Sequence, residues 1–361
     1  MTQFWFDSTI IGEGVLFLPE LQVSSPINQK KLTRSKGYIS IPFSGSFFDV
    51  WCNGPHDTSL SSLTHCLGVL GMGFNTFVRA GQGNVAVREK TKPDDLVTDM
   101  DAGIEMLFRL WIQQFFPDHK VIGEEGIKET FSTKDVVWYV DPVDGTSNFV
   151  RGTDNVTVHL GAVYNGKPYV SFVGVPFHHF GLLGSSEQPV FRLEEEHSFL
   201  LSSSPHYSST SRSLVIGTEY RDSKFDQDGL YKSILDLLNA SSFRVQSIGC
   251  NLLALLDGSC DVFYKPILKL WDALAPICLL DFHYRDKFEI ELYYPKDYHH
   301  KRPFTPSDFD VISPFSNDAL FVKYLNQRHQ DSCRVGFLIV YPKDRPDIKE
   351  TIFSEFGNYY G

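Results

Sequence analysis

Apolar residues recur at helical spacing from Ser59 to Arg79, which predicts a helix closed by a glycine cap at Ala80-Gly81. Ile104, Leu107, Phe108, Trp111, Ile112 and Phe115 fall on one face of a second helix, from about Asp101 to Phe116, ended by Pro117. The period then changes. Asn155–Val163 and Lys167–Val175 alternate as antiparallel strands joined by the turn Tyr164-Asn165-Gly166. Residues 182 to 212 are polar and serine-rich, which suits loops with short strands. Beyond them the pattern predicts a helix over Gly229–Leu238, a short helix over Ile248–Leu256, a strand at Asp261–Tyr264 and a helix over Leu268–Leu280.

The two ends read differently. Residues 1 to 56 hold aromatic, strand-like pieces, Gly37–Ile41 and Ser46–Trp51, among Pro, Ser and Gly turns, and are expected to form a β-rich N-terminal extension. Residues 329 to 361 are set apart as a C-terminal extension containing a strand at Val335–Tyr341. The irregular alternation of strands and helices points to an α+β chain in stacked layers.

The 361 residues are 42% hydrophobic, enough for a large core, in one big domain or two small ones. A net charge of −11 disfavours a nucleic acid polymer as partner. It leaves room for a small phosphorylated substrate, because bound divalent cations reverse the field of an acidic cleft. The six cysteines form no Cys-x-x-Cys pair, no basic and apolar leader is evident at Met1–Asp7, and no apolar stretch reaches the roughly 20 residues of a membrane span. The expectation is a cytoplasmic protein without a membrane partner. His178-His179 and His299-His300 lie far in sequence from the acidic motifs and read as surface or core residues.

Candidate chemistry sits at strand ends. Asp141-Pro142-Val143-Asp144-Gly145-Thr146 follows the apolar run Val136–Val140, and Gly123-Glu124-Glu125 follows Lys120-Val121-Ile122. Two acidic pairs delivered by two strand ends make sense around a strongly positive group. Hard oxygen donors suit Mg²⁺ or Mn²⁺, with the Val143 carbonyl available as a further ligand. Gly145-Thr146-Ser147-Asn148 looks like the start of a helix or tight turn, where free N–H groups hold a phosphate. Asp272 in Trp271-Asp272 and Asp101 in Asp95-Leu96-Val97-Thr98-x-x-Asp101 add two more carboxylates; taken alone they read as a helix cap and a surface acid.

Together with Lys90, these blocks resemble the inositol monophosphatase family, Mg²⁺-dependent and lithium-sensitive phosphomonoesterases related to fructose-1,6-bisphosphatases and bisphosphate nucleotidases. Their order and spacing match over about residues 57 to 328. The resemblance implies a layered αβαβα sandwich of the inositol monophosphatase and sugar phosphatase type, with halves at about 57–180 and 181–328. It implies two or three metal ions. Glu124, Asp141 and the Val143 carbonyl would hold the first, Asp141, Asp144 and Asp272 the second, with Glu125 nearby. Thr146, hydrogen-bonded towards Asp101, would orient the attacking water with help from Glu124, and Gly145, Thr146 and Ser147 would bind the phosphate. Two such ions suit an in-line displacement with no covalent intermediate. A homodimer is usual in the family.

The substrate side departs from that pattern. Lys265 stands seven residues before Asp272, where inositol-specific members place a Glu. Phe149-Val150-Arg151-Gly152 is similar to the bisphosphate nucleotidase branch, whereas Asp95-Leu96-Val97-Thr98 is similar to the inositol branch. Pro276 replaces a small residue, and no Glu-Ala-Gly-Gly follows. By resemblance the default substrate is inositol monophosphate, and the alternative is a nucleotide or sugar bisphosphate. A non-catalytic regulator of the same fold would show degraded ligands, and none is visible.

Overall fold

The computed structural model describes residues 45–85, 87–89, 96–124, 132, 134–194, 197–202, 213–218, 227–295, 309–312 and 334–360. Helix α1 (Gly45–Asn53) and helix α2 (Leu60–Gly81) lead into the short pair β1 (Val87–Glu89) and β2 (Leu96–Thr98), then α3 (Asp99–Phe115). A seven-stranded sheet follows: β3 (Lys120–Gly123), β4 (Val136–Asp144), β5 (Thr157–Tyr164), β6 (Lys167–Val175), β7 (Phe180–Ser185), β8 (Gln188–Leu193) and β9 (Ser198–Leu200), paired in sequence order. Helix α4 (Thr146–Arg151) interrupts β4 and β5.

The second sheet has six strands in the order β11-β10-β12-β15-β13-β14. They are β10 (Val215–Thr218), β11 (Ser241–Phe243), β12 (Val262–Lys269), β13 (Phe288–Pro295), β14 (Phe309–Ile312) and β15 (Arg334–Pro342). Between them run α5 (Gln227–Leu237), α6 (Ile248–Asp257) and α7 (Leu270–Tyr284), and α8 (Pro346–Tyr360) comes last.

Strand alternation divides the side chains into layers. On β4, Val137 and Tyr139 join a core shared with α6 and α7, while Trp138 and Val140 point to the opposite core under α1, α2 and α3. On β15, Leu338 and Val340 face the central helices, and Phe337, Ile339 and Tyr341 face α5 and α8. The result is an α+β chain in five layers, αβαβα, with α6 and α7 between the sheets. Their approach is close: a Cβ on Gly161 of β5 would lie 2.8 Å from Ala275 Cα of α7, and Ser171 Oγ donates to the Ala275 carbonyl at 2.8 Å.

Three expectations change. Ser46–Trp51 is helical, not extended: Phe47 stacks on Trp51, meets Phe74 and Phe77 edge-on, and Trp111 Nε1 donates to the Val50 carbonyl at 3.0 Å. Burial of an i, i+4 aromatic pair on α2 overrides the strand propensity of those residues. Gly81 is the last helical residue rather than the cap, and the left-handed conformation falls on Gly83 at φ +76°. The segment set apart at 329–361 supplies β15, which pairs with both β12 and β13 in the middle of the second sheet. Gly37–Ile41 lies outside the described residues.

Candidate metal and phosphate site

Parallel pairing of β3 and β4 sets Gly123 opposite Val140, so Glu124 and Asp141 emerge side by side at the carboxyl ends of the two strands. Gly123 has its own reason to be glycine. A Cβ there would lie 2.1 Å from the carboxyl carbon of Glu105, a buried acid held by Arg109 at 3.0 Å.

Asp141 and Asp144 are three residues apart, and in a regular strand they would face opposite sides. Here Asp141 pairs with His159 and Asp144 with Thr157, so β4 spends one residue more than β5 over this stretch. The bulge, at Pro142-Val143 where proline has no N–H to lose, turns both carboxylates to the same side. The Val143 N–H donates to Asp141 Oδ1 at 3.0 Å.

Asp144 Oδ2 is saturated. It accepts from Ser247 Oγ at 2.5 Å, Gly249 N at 2.8 Å and Thr157 Oγ1 at 2.9 Å, whereas among the described residues Oδ1 meets only the Ile248 N–H, at 3.3 Å. Ser247 is also the N-cap of α6, donated to by Cys250 N at 3.0 Å. Asp272 enters from the first turn of α7, where the Lys269 N–H reaches its Oδ2 at 3.4 Å.

The electrostatics show convergence. Burial, then Glu124, Asp144, Asp272 and Asp101 in turn, push Asp141 well above the carboxylate range. Burial, then Glu124 and Asp144, push Asp272 up to about 8, against the pull of Lys269 and Lys265. These acids crowd one another and gain most from a shared cation. Oxygen donors without a thiolate fit Mg²⁺ or Mn²⁺. Among the described residues, no three acidic, His or Cys side chains are yet gathered at ligating distance. Lys269 Nζ stands 3.3 Å from Glu124 Oε1, and Thr146 Oγ1 donates to the Val143 carbonyl at 3.0 Å, so two prospective ligand oxygens hold hydrogen-bond donors instead.

Gly145, at φ +91°, caps α4, and a Cβ there would lie 2.8 Å from the Asn155 carbonyl. Its conformation turns the chain so that the first N–H groups of α4, without intrahelical acceptors, follow directly on Asp144. Ser147 and Asn148 are buried beneath them, and Asn148 Nδ2 bridges the carbonyls of Asn155 and Gln246 at 2.8 and 2.9 Å.

The inositol monophosphatase family model matches residues 71–281, more than half of the chain and every block described above. The chain belongs to the inositol monophosphatase family. Relatives in that family include an inositol-1-monophosphatase of Bacillus subtilis, 37% identical over 91 residues, 25% of this chain and 34% of that protein. The chain thus aligns with about a third of the length of that relative. A 3′(2′),5′-bisphosphate nucleotidase 1 of Rattus norvegicus is 26% identical over 241 residues, 57% of this chain and 75% of that protein. The inositol monophosphatase fold is shared with an IMPase/NADP phosphatase solved with Mg²⁺ and phosphate, at TM-score 0.59 and 18% identity, covering 82% of this chain and 95% of that one. A Thermotoga maritima IMPase gives TM-score 0.57 at 20% identity over 81% of this chain and 96% of its own.

Glu124, Asp141, Val143, Asp144 and Asp272 thus surround one region, with Gly145, Thr146 and Ser147 at its edge and Lys265 half-buried on β12. Glu125 lies outside the described residues, as do Lys90 and Asp95. Asp101 differs from expectation. Its Oδ2 accepts from Thr98 N at 2.8 Å and Thr98 Oγ1 at 2.5 Å, capping α3, while the Thr146 hydroxyl turns to Val143. Sequence reasoning missed Lys269, which pairs with Glu124 and lies 5.1 Å over the Trp271 ring, and His159, buried beside Asp144. Lys269, three residues before Asp272, could have been found from that spacing; a histidine inside an apolar strand carries no such signal.

Proposed function

We propose that the chain hydrolyses a small phosphomonoester with the help of Mg²⁺, and the meeting of Glu124, Asp141, Asp144 and Asp272 from two strand ends and the first turn of α7, where burial and acidic neighbours raise Asp141 and Asp272, is the observation that carries this reading. Glu124, Asp141 and the Val143 carbonyl would hold one ion, Asp141, Asp144 and Asp272 a second, with Glu125 a candidate for a third; Mn²⁺ suits the same oxygens. Bound there, the ions supply Lewis-acid charge for the attacking and leaving oxygens of an in-line displacement. Gly145 and Thr146 offer backbone N–H groups to the phosphate, with Ser147 behind them. The Thr146 hydroxyl orients the water after release from Val143, and Glu124 is the proton acceptor at hand. Asp101 acts chiefly by fixing the start of α3. The protein supplies position and charge, with no group of its own forming a bond to phosphorus.

Inositol monophosphate is the default substrate from the family. A nucleotide or sugar bisphosphate is favoured by one feature, the field of two lysines, Lys265 and Lys269, felt at Asp272. The alignment with the rat bisphosphate nucleotidase supports the same branch. Lithium inhibition, a homodimer and a cytoplasmic setting complete the reading; five free cysteines among the described residues accord with the last. No helix among the described residues is long and apolar enough to cross a membrane.

The test is phosphate release from inositol monophosphates, fructose 1,6-bisphosphate and 3′-phosphoadenosine 5′-phosphate, with and without Mg²⁺. Turnover that needs Mg²⁺ and is lost in Asp141→Asn is expected. Silence across the panel would instead favour a regulator that kept the fold. Lys265→Glu should shift preference from bisphosphates towards inositol phosphates; an unchanged preference would remove Lys265 as the selector.

A further inference from the structure

His159 is fully buried on β5, yet its ring touches three elements that build the acidic site. Nε2 lies 2.9 Å from Thr157 Oγ1 and 3.9 Å from Asp144 Oδ2, and Nδ1 lies 3.4 Å from the Trp271 carbonyl in the first turn of α7. The first turn of α6 closes the remaining side. A Cβ on Gly249 would sit 2.1 Å from Thr157 Oγ1 and 2.3 Å from His159 Nε2.

Counting protons assigns the roles. The Thr157 hydroxyl carries one hydrogen, and three acceptors stand within reach: Asp144 Oδ2 at 2.9 Å, His159 Nε2 at 2.9 Å and Ser247 Oγ at 3.3 Å. Ser247 already gives its own proton to Asp144 Oδ2 at 2.5 Å. If His159 Nε2 were bare, it would compete with the carboxylate for the Thr157 proton. If Nε2 carries the hydrogen, the donors run one way, from Nε2–H to Thr157 Oγ1 and from Thr157 O–H to Asp144 Oδ2. A neutral imidazole and Thr157 bring two hydrogens to three gaps, and the longest of these, from Nδ1 to the Trp271 carbonyl at 3.4 Å, is the one whose loss of a proton costs least.

We propose that His159 is a positioning residue that forces the Thr157 proton onto Asp144 Oδ2, so that this oxygen is spent on the fold and Oδ1 is left as the metal-ligating atom. The inference rests on the metal-dependent reading above. It makes an uncharged imidazole, which touches neither substrate nor ion, responsible for which carboxylate oxygen faces the cation.

Four variants test it by Mn²⁺ titration of the metal-free protein, with thermal unfolding in EDTA alongside. Gln places an amide N–H where His carries Nε2, and Asn places one where His carries Nδ1. His159→Gln should therefore bind Mn²⁺ almost as the wild type does, whereas His159→Asn and His159→Leu should lose about tenfold in affinity. Thr157→Val, which deletes only the relaying hydroxyl, should show the same loss and stands in should His159→Leu fail to fold. Rescue by Asn rather than Gln, or wild-type affinity in both His159→Leu and Thr157→Val, would overturn the assignment. A wild type that binds no Mn²⁺ would overturn the metal reading and this inference together. In ¹⁵N spectra of the metal-free protein, His159 should show the Nε2–H tautomer, and an Nδ1–H signature would sink the proposal.

Discussion

Replacing Asp141 by Asn removes the acid on which Glu124, Asp144, Asp272 and Asp101 all press while keeping the shape of the side chain, so its effect depends on what else is bound. In EDTA the variant should be more stable than the wild type by about 1–2 kcal/mol, since a buried like charge is gone. In Mg²⁺ the order should reverse, and phosphate release should fall by more than about a hundredfold, beyond the cost of losing a ligand's hydrogen-bond partner. Paired thermal melts and a phosphate assay check both halves. Asp272 makes a complementary prediction. With its carboxyl pushed up to about 8, binding a cation must displace a proton, so Mn²⁺ affinity should climb between about pH 6 and 8 and level off above. A flat profile would mean that Asp272 is already ionised in the metal-free protein.

At the scale of elements, the helices and strands that carry simple periods were legible from sequence: α2, α3, α6, α7 and the β5–β6 hairpin, whose turn places Asn165 and Gly166 at φ 52° and 71°. The acidic motifs were legible for the same reason, each following a β-branched run. What was not legible depended on contacts distant in the chain. Helix α1 hides behind aromatic residues that suit strands as well, and its helicity follows from the fit of Phe47 over Gly73, where a Cβ would come within 2.1 Å of the ring. Strand β12 runs on through Pro266, which lies beyond Tyr264, where the pairing with β10 ends among the described residues, so the proline interrupts no ladder described on that side. The bulge between Asp141 and Asp144 is likewise a matter of pairing. Gly249 tests how tightly α6 is seated against it: Gly249→Ala forces a methyl group onto Thr157 and His159 and should cost about 1–3 kcal/mol in urea unfolding. A cost near zero would mean that α6 retreats freely.

For the whole molecule, the raised acids set the sign of pH dependence. Where a carboxyl titrates higher folded than unfolded, the folded state binds more protons between the two values. Its contribution is full below the ordinary carboxylate range and is lost as pH rises through the folded value. Burial and crowding raise both Asp141 and Asp272, the latter to about 8. In EDTA the melting temperature should therefore fall between about pH 5 and 8, and saturating Mg²⁺ should flatten or reverse the slope, because only the ionised acids bind it. The place of β15 bears on how the molecule comes to exist. Its neighbours β12 and β13, and α7 with Asp272 between them, leave the ribosome well before the strand that joins them. Until then each offers an open edge to any other nascent chain, so Asp272 waits on a strand made after it before its own sheet is closed behind it. Slow synthesis of β15 should therefore favour aggregation over mere delay, and a ribosome stalled before it should expose β12 and β13 to holding chaperones.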